Sequence, residues 1–353
     1  MKALILSGGK GTRLRPITHT NAKQLIPIAN KPILFYGIEA IKEAGIIDVG
    51  IVVGDTKDEI KQAVGDGSKW GVKVTYIEQD EPLGLAHAVK ISKEFIGSDS
   101  FVMYLGDNLI KDGIKSLVEE FEAKKPNAQI LLAHVPHPEQ FGVAELLEGR
   151  VIRLEEKPKH PRSDLALCGV YMFDQSIFEA VNSIQPSARN ELEITDAIQN
   201  LIDKKKKVHP HIITGWWKDT GKLEDMLEAN SIILDTFTFT NEGRIDAKSK
   251  IEGKVVIEKG AIVENSVVRG PAIIGENAKI INSYVGPYSA IYFGTCIESS
   301  EIEHSIVLEN SHIIDIRRIE DSLIGQNVEV KKSHSRPQAY RIMVGDSSRI
   351  EVL

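Results

Sequence analysis

Between Val256 and Ile297 the chain sets an aliphatic residue at nearly every sixth position. Val256, Ile262, Val268, Ile274 and Ile280 keep the period, and after a slip of one residue Val285, Ile291 and Ile297 resume it. Helical spacing is absent from about Asn241 onward, where short Ile/Val runs alternate with Gly, Asn, Glu and Ser. Ile274 to Ala278, Val285 to Ser289 and Ile324 to Val328 are close copies of one unit. Each unit supplies one short strand, with its aliphatic residue inside, and one turn, so this half of the chain is expected to stack as a solenoid. A solenoid cannot bury its own ends, and the irregular segment from Ser333 to Leu353 is the expected cap.

The first half reads differently. Lys2 to Leu6, Asp48 to Val53, Val72 to Glu78, Ser100 to Leu105 and Ala128 to His134 are strand-length apolar runs. Between them, Pro32 to Ala44, Asp58 to Val64, Leu85 to Phe95 and Ile114 to Lys124 carry helical spacing. Strand and helix in alternation predict a mostly parallel α/β sheet. Ligands of such sheets bind beyond the carboxyl ends of the strands. Gly8, Gln79 and Asp107 each stand just after a strand. A chain of 353 residues has room for two domains, expected at 1–236 and 237–353.

The net charge of −7 disfavours nucleic acid and anionic membranes as partners, because counterion release needs a basic surface. No apolar run is long enough to span a bilayer, and the short apolar start before Ser7 and Gly8 is not expected to be a signal peptide. Cys168 and Cys296 lie far apart, form no metal or disulfide pattern and are expected to be small buried hydrophobes. A cytoplasmic enzyme fits these features. The lysine run Lys204 to Lys207 is expected to be a solvated helix end, favourable to the helix dipole.

The turn from Ser7 to Thr12 is followed at once by Arg13, Arg15 and Lys23, and can be typed by what it lacks. A phosphate-binding Walker A loop ends in Gly-Lys-Ser/Thr, and Gly9-Lys10-Gly11 has no such ending. A dinucleotide fingerprint needs a third glycine where Leu14 stands. What remains is a set of backbone N–H groups suited to phosphate, with Arg13 and Lys23 as cations.

Two resemblances follow from these strings. The six-residue units resemble hexapeptide repeats, which imply a left-handed parallel β-helix. The run from Gly8 to Thr18, with Ala22 to Tyr36 after it, resembles the sugar-1-phosphate nucleotidyltransferases. The likeness covers roughly residues 1–235. It continues through Gln79 with Pro82 to Ala86, Leu105 to Asn108, Phe141 to Val143, Glu155 to Pro158, Ser187 to Asp196, and Trp217 to Gly221. Lys23-Gln24-Leu25 looks like the thymidylyl branch. The implied architecture is a Rossmann-like mixed, mostly parallel nucleotidyltransferase sheet followed by a left-handed β-helix.

The implied reaction joins dTTP, or UTP in the nearest alternative, to glucose 1-phosphate and releases pyrophosphate, with Mg²⁺ as cofactor. The resemblance assigns Arg13, Lys23 and Lys157 to catalysis. It assigns Leu6, Gly8, Gly9, Gly11, Thr12, Arg13, Gln79, Gly84 and Asp107 to the nucleotide. Asn108, Gly142, Glu156, Lys157 and Tyr171 fall to the sugar phosphate, though Tyr171 equally suits a core aromatic. Asp107 and Asp219 would hold the metal. Gln79 offers one donor and one acceptor to a pyrimidine imide edge, which thymine and uracil share. Phe141 replaces a tyrosine usual before this glycine, and Asn190 stands where a glycine is frequent. For the β-helix, assembly into a homo-oligomer is the expected role. The alternative is an acyltransferase, with His304, His312 and His334 as possible bases.

Overall fold

The computed structural model describes residues 1–9, 11–19 and 21–333. The expected cap beyond Ser333, and the candidate base His334, lie outside them. The chain forms two compact units. One comprises Met1–Lys10, Asn21–Leu25 and Ile33–Asp219, and the other Gly11–Thr20, Ile26–Pro32 and Thr220–Leu353.

In the first unit, β1 (Lys2–Ser7) is central, with β2 (Asp48–Val53) on one side and β4 (Phe101–Leu105) on the other, both parallel to it. Strand β3 (Lys73–Glu78) extends the parallel half beyond β2. A strand buried on both faces reads as a continuous apolar run, which is why Lys2 to Leu6 shows no alternation in sequence. Its two faces separate in space: Leu4 and Leu6 enter one core, Ala3 and Ile5 the other.

Beyond β4 the sheet turns antiparallel. The fully buried β9 (Leu165–Phe173) pairs with β4, with β6 (Ala128–His134) and with β7 (Gly142–Leu147), which pairs in turn with β8 (Arg150–Glu156). Strand β10 (Val208–Ile212) runs parallel to β6. Among the described residues these nine strands are one mixed sheet. A two-residue loop at Glu148 and Gly149 joins β7 and β8, which are absent from the pattern read along the sequence because Glu145 interrupts the first and Arg150, Arg153, Glu155 and Glu156 break up the second.

Helices α1 (Ile33–Glu43), α2 (Lys57–Val64), α3 (Leu85–Ile91), α4 (Lys115–Lys124), α5 (Ser176–Ser183) and α6 (Ile194–Asp203) complete the unit. The expected helix from Leu85 to Phe95 is interrupted at Ser92, whose buried hydroxyl donates to the Ala88 carbonyl at 2.7 Å. A side-chain hydroxyl bonding back one turn competes with the backbone ladder and bends or ends the helix.

Glu120 on α4 meets His209 and His211 of β10 at 3.2 and 2.6 Å, and Lys124 at 2.6 Å. Burial alone would raise this carboxyl, but the contacts from Lys124, His211 and His209 outweigh it and bring it to about 2. The folded state therefore holds the ionised form better than the unfolded chain does. That contribution is complete above the ordinary glutamate range and is lost as pH falls toward 2. Glu120→Gln is expected to flatten the fall of stability between about pH 4.5 and pH 2, read as denaturation midpoints across pH.

In the second unit, among the described residues, short parallel strands stack in three sheets of six, six and four strands. The inward residues are Ile257, Val263, Val268, Ile274, Ile280, Val285, Ile291, Ile297, Ile302, Val307 and Ile313. This corrects the phase read from the sequence at two positions: Ile257 and Val263 face in, while Val256 and Ile262 do not. It also explains the slip. One coil takes strides of six, five and six residues, and equivalent positions recur every 17 residues. The short stride recurs on one corner of each coil. The pairing of Ala290 with Ile306 makes one later coil a residue shorter, at His304.

Ser249, Ser266, Ser283 and Ser300 line a corner at the 17-residue spacing, each hydroxyl accepting the N–H of the next coil at 3.0–3.1 Å. Buried backbone donors at the corner are thereby satisfied. Helix α7 (Leu223–Leu234) packs on the strand Ser289–Ile291 of the same unit.

The phase correction is testable. Val263→Ala should cost about 2 kcal/mol of stability through lost burial and a cavity, and Ile262→Ala less than about 1 kcal/mol. Urea denaturation of the two variants compares them directly.

Candidate active site

In the first unit, polar groups gather at the carboxyl ends of β1, β3 and β4. Strand β4 ends at Leu105, and the Gly106 N–H donates to the Leu6 carbonyl at 2.9 Å. An added Cβ at Gly106 would stand 3.1 Å from that carbonyl, so the chain turns close against β1 before presenting Asp107. Strand β5 (Asn108–Ile110) then pairs with β11 (Trp217–Asp219), antiparallel, with Asp219 opposite Asn108. This ribbon carries Asp219 to Asp107 across more than a hundred residues of chain.

Lys23 lies between the two carboxylates. It sits in a 3₁₀ turn (Lys23–Leu25) and is 6% exposed. Its Nζ is 2.5 Å from Asp107 Oδ2 and 3.9 Å from Asp219 Oδ1. Burial would raise the Asp107 carboxyl, but the charge and hydrogen bond of Lys23, with that of Asn108, hold it below the ordinary range.

Asn108, 2% exposed, fixes the other Asp107 oxygen: its Nδ2 donates to Asp107 Oδ1 at 2.8 Å. Its Oδ1 accepts from Trp217 Nε1 at 2.5 Å and from the Gly169 N–H at 3.3 Å. The Trp217 ring stands edge-on to Phe141 at 5.2 Å, so the phenylalanine in place of the usual tyrosine packs on this tryptophan.

A second group surrounds the end of β1. The Gln79 N–H donates to the Val53 carbonyl at 2.8 Å, and Gln79 Oε1 lies 3.2 Å from where a Cβ on Gly8 would stand. Gln79 Nε2 reaches His87 Nδ1 at 3.0 Å and the Gly84 carbonyl at 3.4 Å. Gly84 has φ of +100°, and a Cβ there would come within 2.5 Å of the Leu192 carbonyl, so only glycine fits. Among the described residues, the buried oxygens Ser7 Oγ and Gln24 Oε1 have no hydrogen-bond partner. Gln24 Nε2 is 3.8 Å from the Cβ position of Gly9.

The third group centres on Glu156 at the end of β8. Arg189 bridges Glu156 at 3.2 Å and Glu193 at 2.8 Å, and Thr195 Oγ1 donates to Glu156 Oε2 at 3.3 Å. Burial and the neighbouring Glu193 raise the Glu156 carboxyl. Gly142 is hemmed in, since a Cβ would lie 2.6 Å from Thr195 and 3.1 Å from Glu156 Oε2. Lys157 is exposed, with a left-handed φ of 43°, and its N–H donates to the Phe141 carbonyl at 3.0 Å. Tyr171 is 4% exposed and stacks on Phe173 at 6.1 Å in the core, where burial, then the nearby Glu156, raise its hydroxyl. Asn190 takes φ of 60°, the left-handed backbone that glycine would also provide.

Lys23, Asp107, Asn108 and Asp219 thus assemble, as do Gly8, Gln79 and Gly84, and Gly142 with Glu156. Leu6 and Gly9 flank the second group. Gly11, Thr12 and Arg13 belong to the other unit, where the Arg13 guanidinium lies against Gly221. Arg189, Thr195 and His87 were not singled out in the sequence. Arg189 and Thr195 sit inside the quoted run from Ser187 to Asp196, but only the fold turns them toward Glu156.

No cluster of three or more His, Cys, Asp or Glu side chains suited to a metal occurs among the described residues. The Asp107–Asp219 pair nevertheless suits Mg²⁺, which takes one or two carboxylates and fills its shell with phosphate and water oxygens. No helix among the described residues is long and apolar enough to cross a membrane.

The model of the nucleotidyl transferase family matches residues 2–236. A glucose-1-phosphate thymidylyltransferase of Streptomyces griseus is 56% identical over 100% of this chain and 99% of its own. The low-salt glycan biosynthesis nucleotidyltransferase Agl11 of Haloferax volcanii is 44% identical over the whole of both chains. Among solved structures, a Bacillus anthracis protein assigned to the glucose-1-phosphate thymidylyltransferases, in complex with sucrose, superposes with a TM-score of 0.63. It is 38% identical, over 68% of this chain and 98% of its own. On this agreement of motifs, fold and relatives, the chain belongs to the nucleotidyl transferase family, with the glucose-1-phosphate thymidylyltransferases.

Proposed function

We propose that this nucleotidyltransferase transfers the thymidylyl group of dTTP to glucose 1-phosphate, giving dTDP-glucose and pyrophosphate. The observation that carries the reading is the buried Lys23 ammonium held between Asp107 and Asp219 beyond the central strands. Both reactants are polyanions, so the protein must neutralise their repulsion and align them, which makes positioning and electrostatics the main sources of rate.

In the proposed reaction an oxygen of the sugar phosphate attacks the α-phosphorus. The bond from that phosphorus to the bridging oxygen breaks, and pyrophosphate leaves with the electron pair. Lys23 and Arg13 would take up the charge that develops on the triphosphate. The backbone N–H groups of Gly8, Gly9, Gly11 and Thr12 would hold its oxygens, with Leu6 beside them. Gln79, next to Gly8 and Gly84, would read the pyrimidine edge. Lys157 would grip the sugar phosphate, and Glu156, Asn108 and Gly142 would line the sugar. Tyr171 would support Glu156 from the core. Asp107 and Asp219 would hold Mg²⁺, which when bound supplies charge neutralisation on the phosphates. We further infer that the β-helix joins copies of the chain. The exposed Phe239 and Phe293, the latter edge-on to Tyr292 at 5.0 Å, support this, and sedimentation of the purified protein checks it.

Pyrophosphate release with dTTP, UTP, ATP and GTP against several sugar 1-phosphates tests the assignment. The expected maximum is dTTP with glucose 1-phosphate. A maximum with UTP would move the protein to the uridylyl branch, and no release with any pair would end the reading. Asp107→Asn and Asp219→Asn should each lower turnover about a hundredfold or more while the protein melts normally. Full activity in both variants would remove the metal assignment.

A further inference from the structure

The segments on either side of Lys23 in the chain, Gly11–Thr20 and Ile26–Pro32, belong to the unit built on the β-helix. Their attachments there are specific. The Arg13 guanidinium lies flat against Gly221, so that an added Cβ would stand 3.0 Å from Nη1 and Nη2 and 3.1 Å from Cζ. The loop behind Arg13 is closed by Thr18 Oγ1, which donates to the Gly11 carbonyl at 2.7 Å. At its far end, the Ile17 side chain lies 3.3 Å from the Cβ position of Gly325, on the β-helix.

The second segment is a tight hairpin, Pro27–Ile28 against Lys31–Pro32, turning through Ala29 and Asn30 with φ of 46° and 61°. Alanine rarely adopts that backbone, so the turn must be held from outside. Asn230 of α7 holds it. This fully buried amide accepts the Ala29 N–H at 2.9 Å and donates to the Tyr288 carbonyl at 2.9 Å. Asn30 Nδ2 reaches the next part of the same coil, the Ile291 carbonyl, at 2.9 Å.

We propose that the β-helix unit is the seat that positions Arg13, with Gly221 and Asn230 as its positioning residues. The inference rests on the reading of Arg13 as a triphosphate cation. Gly221 acts by leaving room: its φ is not one that restricts side chains, so its lack of a Cβ serves the guanidinium laid over it rather than the backbone. Asn230 acts by clamping the hairpin to the coil, which fixes the chain on the carboxyl side of the loop. An error of about 1 Å in a catalytic cation is enough to cost about a hundredfold in rate.

The test is a mutant cycle on the full chain, with Arg13→Ala, Gly221→Ala, Asn230→Leu and the two doubles that combine the latter with Arg13→Ala. Gly221→Ala and Asn230→Leu should each lower kcat about tenfold to a hundredfold, with KM for the sugar phosphate within about twofold of the parent. In the Arg13→Ala background neither should lower kcat further, because groups acting through one residue do not add. Asn230→Asp, which keeps the acceptor for Ala29, should recover part of the loss. Unchanged turnover in Arg13→Ala would overturn the reading of Arg13 and this proposal with it. A large loss in Arg13→Ala, with Gly221→Ala still fully active or its loss simply additive, would overturn the positioning alone. If Asn230→Leu fails to fold, the Gly221→Ala cycle decides.

Discussion

The arrangement depends most on one charge contact, the Lys23 ammonium against Asp107. A buried ion pair of this kind is weak evidence for stability, because desolvation offsets the attraction. Its consequence here is geometric. With Asn108 holding one oxygen of Asp107 and Lys23 the other, the carboxylate has little freedom left, and it stays ionised despite its surroundings. Charge that is fixed before a substrate arrives needs no reorganisation during reaction, and this is the form in which electrostatics lowers barriers most.

The polar hub depends in turn on the sheet. Gly106 lets β4 turn against β1, which sets Asp107 beyond the central strands, and the β5–β11 ribbon registers Asp219 opposite Asn108. Trp217 completes the hub by donating to Asn108 from within that ribbon. The supports are short-range: a close backbone approach, a three-residue pairing and one indole N–H. They are also distributed along the chain, so an isolated fragment of the sequence would not carry the hub.

How much of this was legible beforehand varied with the physics of each part. Strands buried on both faces, such as Lys2–Ser7 and Asp48–Val53, announce themselves by continuous apolar runs, and their bounds were read to within a residue. Gly142–Leu147 and the edge strand Arg150–Glu156 form no continuous apolar run: Glu145 interrupts the first, and Arg150, Arg153, Glu155 and Glu156 break up the second. In the β-helix the six-residue period was plain but its phase at Val256 and Ile262 was not. Both positions of the Val256-Ile257 and Ile262-Val263 pairs are apolar, and only stacking decides which one turns inward. The candidate site was legible as a set of motifs, since the residue types survive in order. The bonds among them were not, because Arg189 to Glu156 and Trp217 to Asn108 join residues far apart in the chain.

The same limit bears on the opening glycine loop. Read along the chain, Gly8 to Lys23 is one phosphate-binding string, yet its parts answer to different cores. Gly8 and Gly9 extend the central strand, Lys23 is fixed by Asp107, and Gly11 to Arg13 close on the unit that holds Gly221. Just beyond it, the left-handed Ala29 keeps a backbone that local sequence alone would not hold, fixed by Asn230. The β-helix unit supplies that second anchor, its coils held by stacked serines and a continuous aliphatic core. An arginine borne on a short loop gains its accuracy from whatever that loop rests upon.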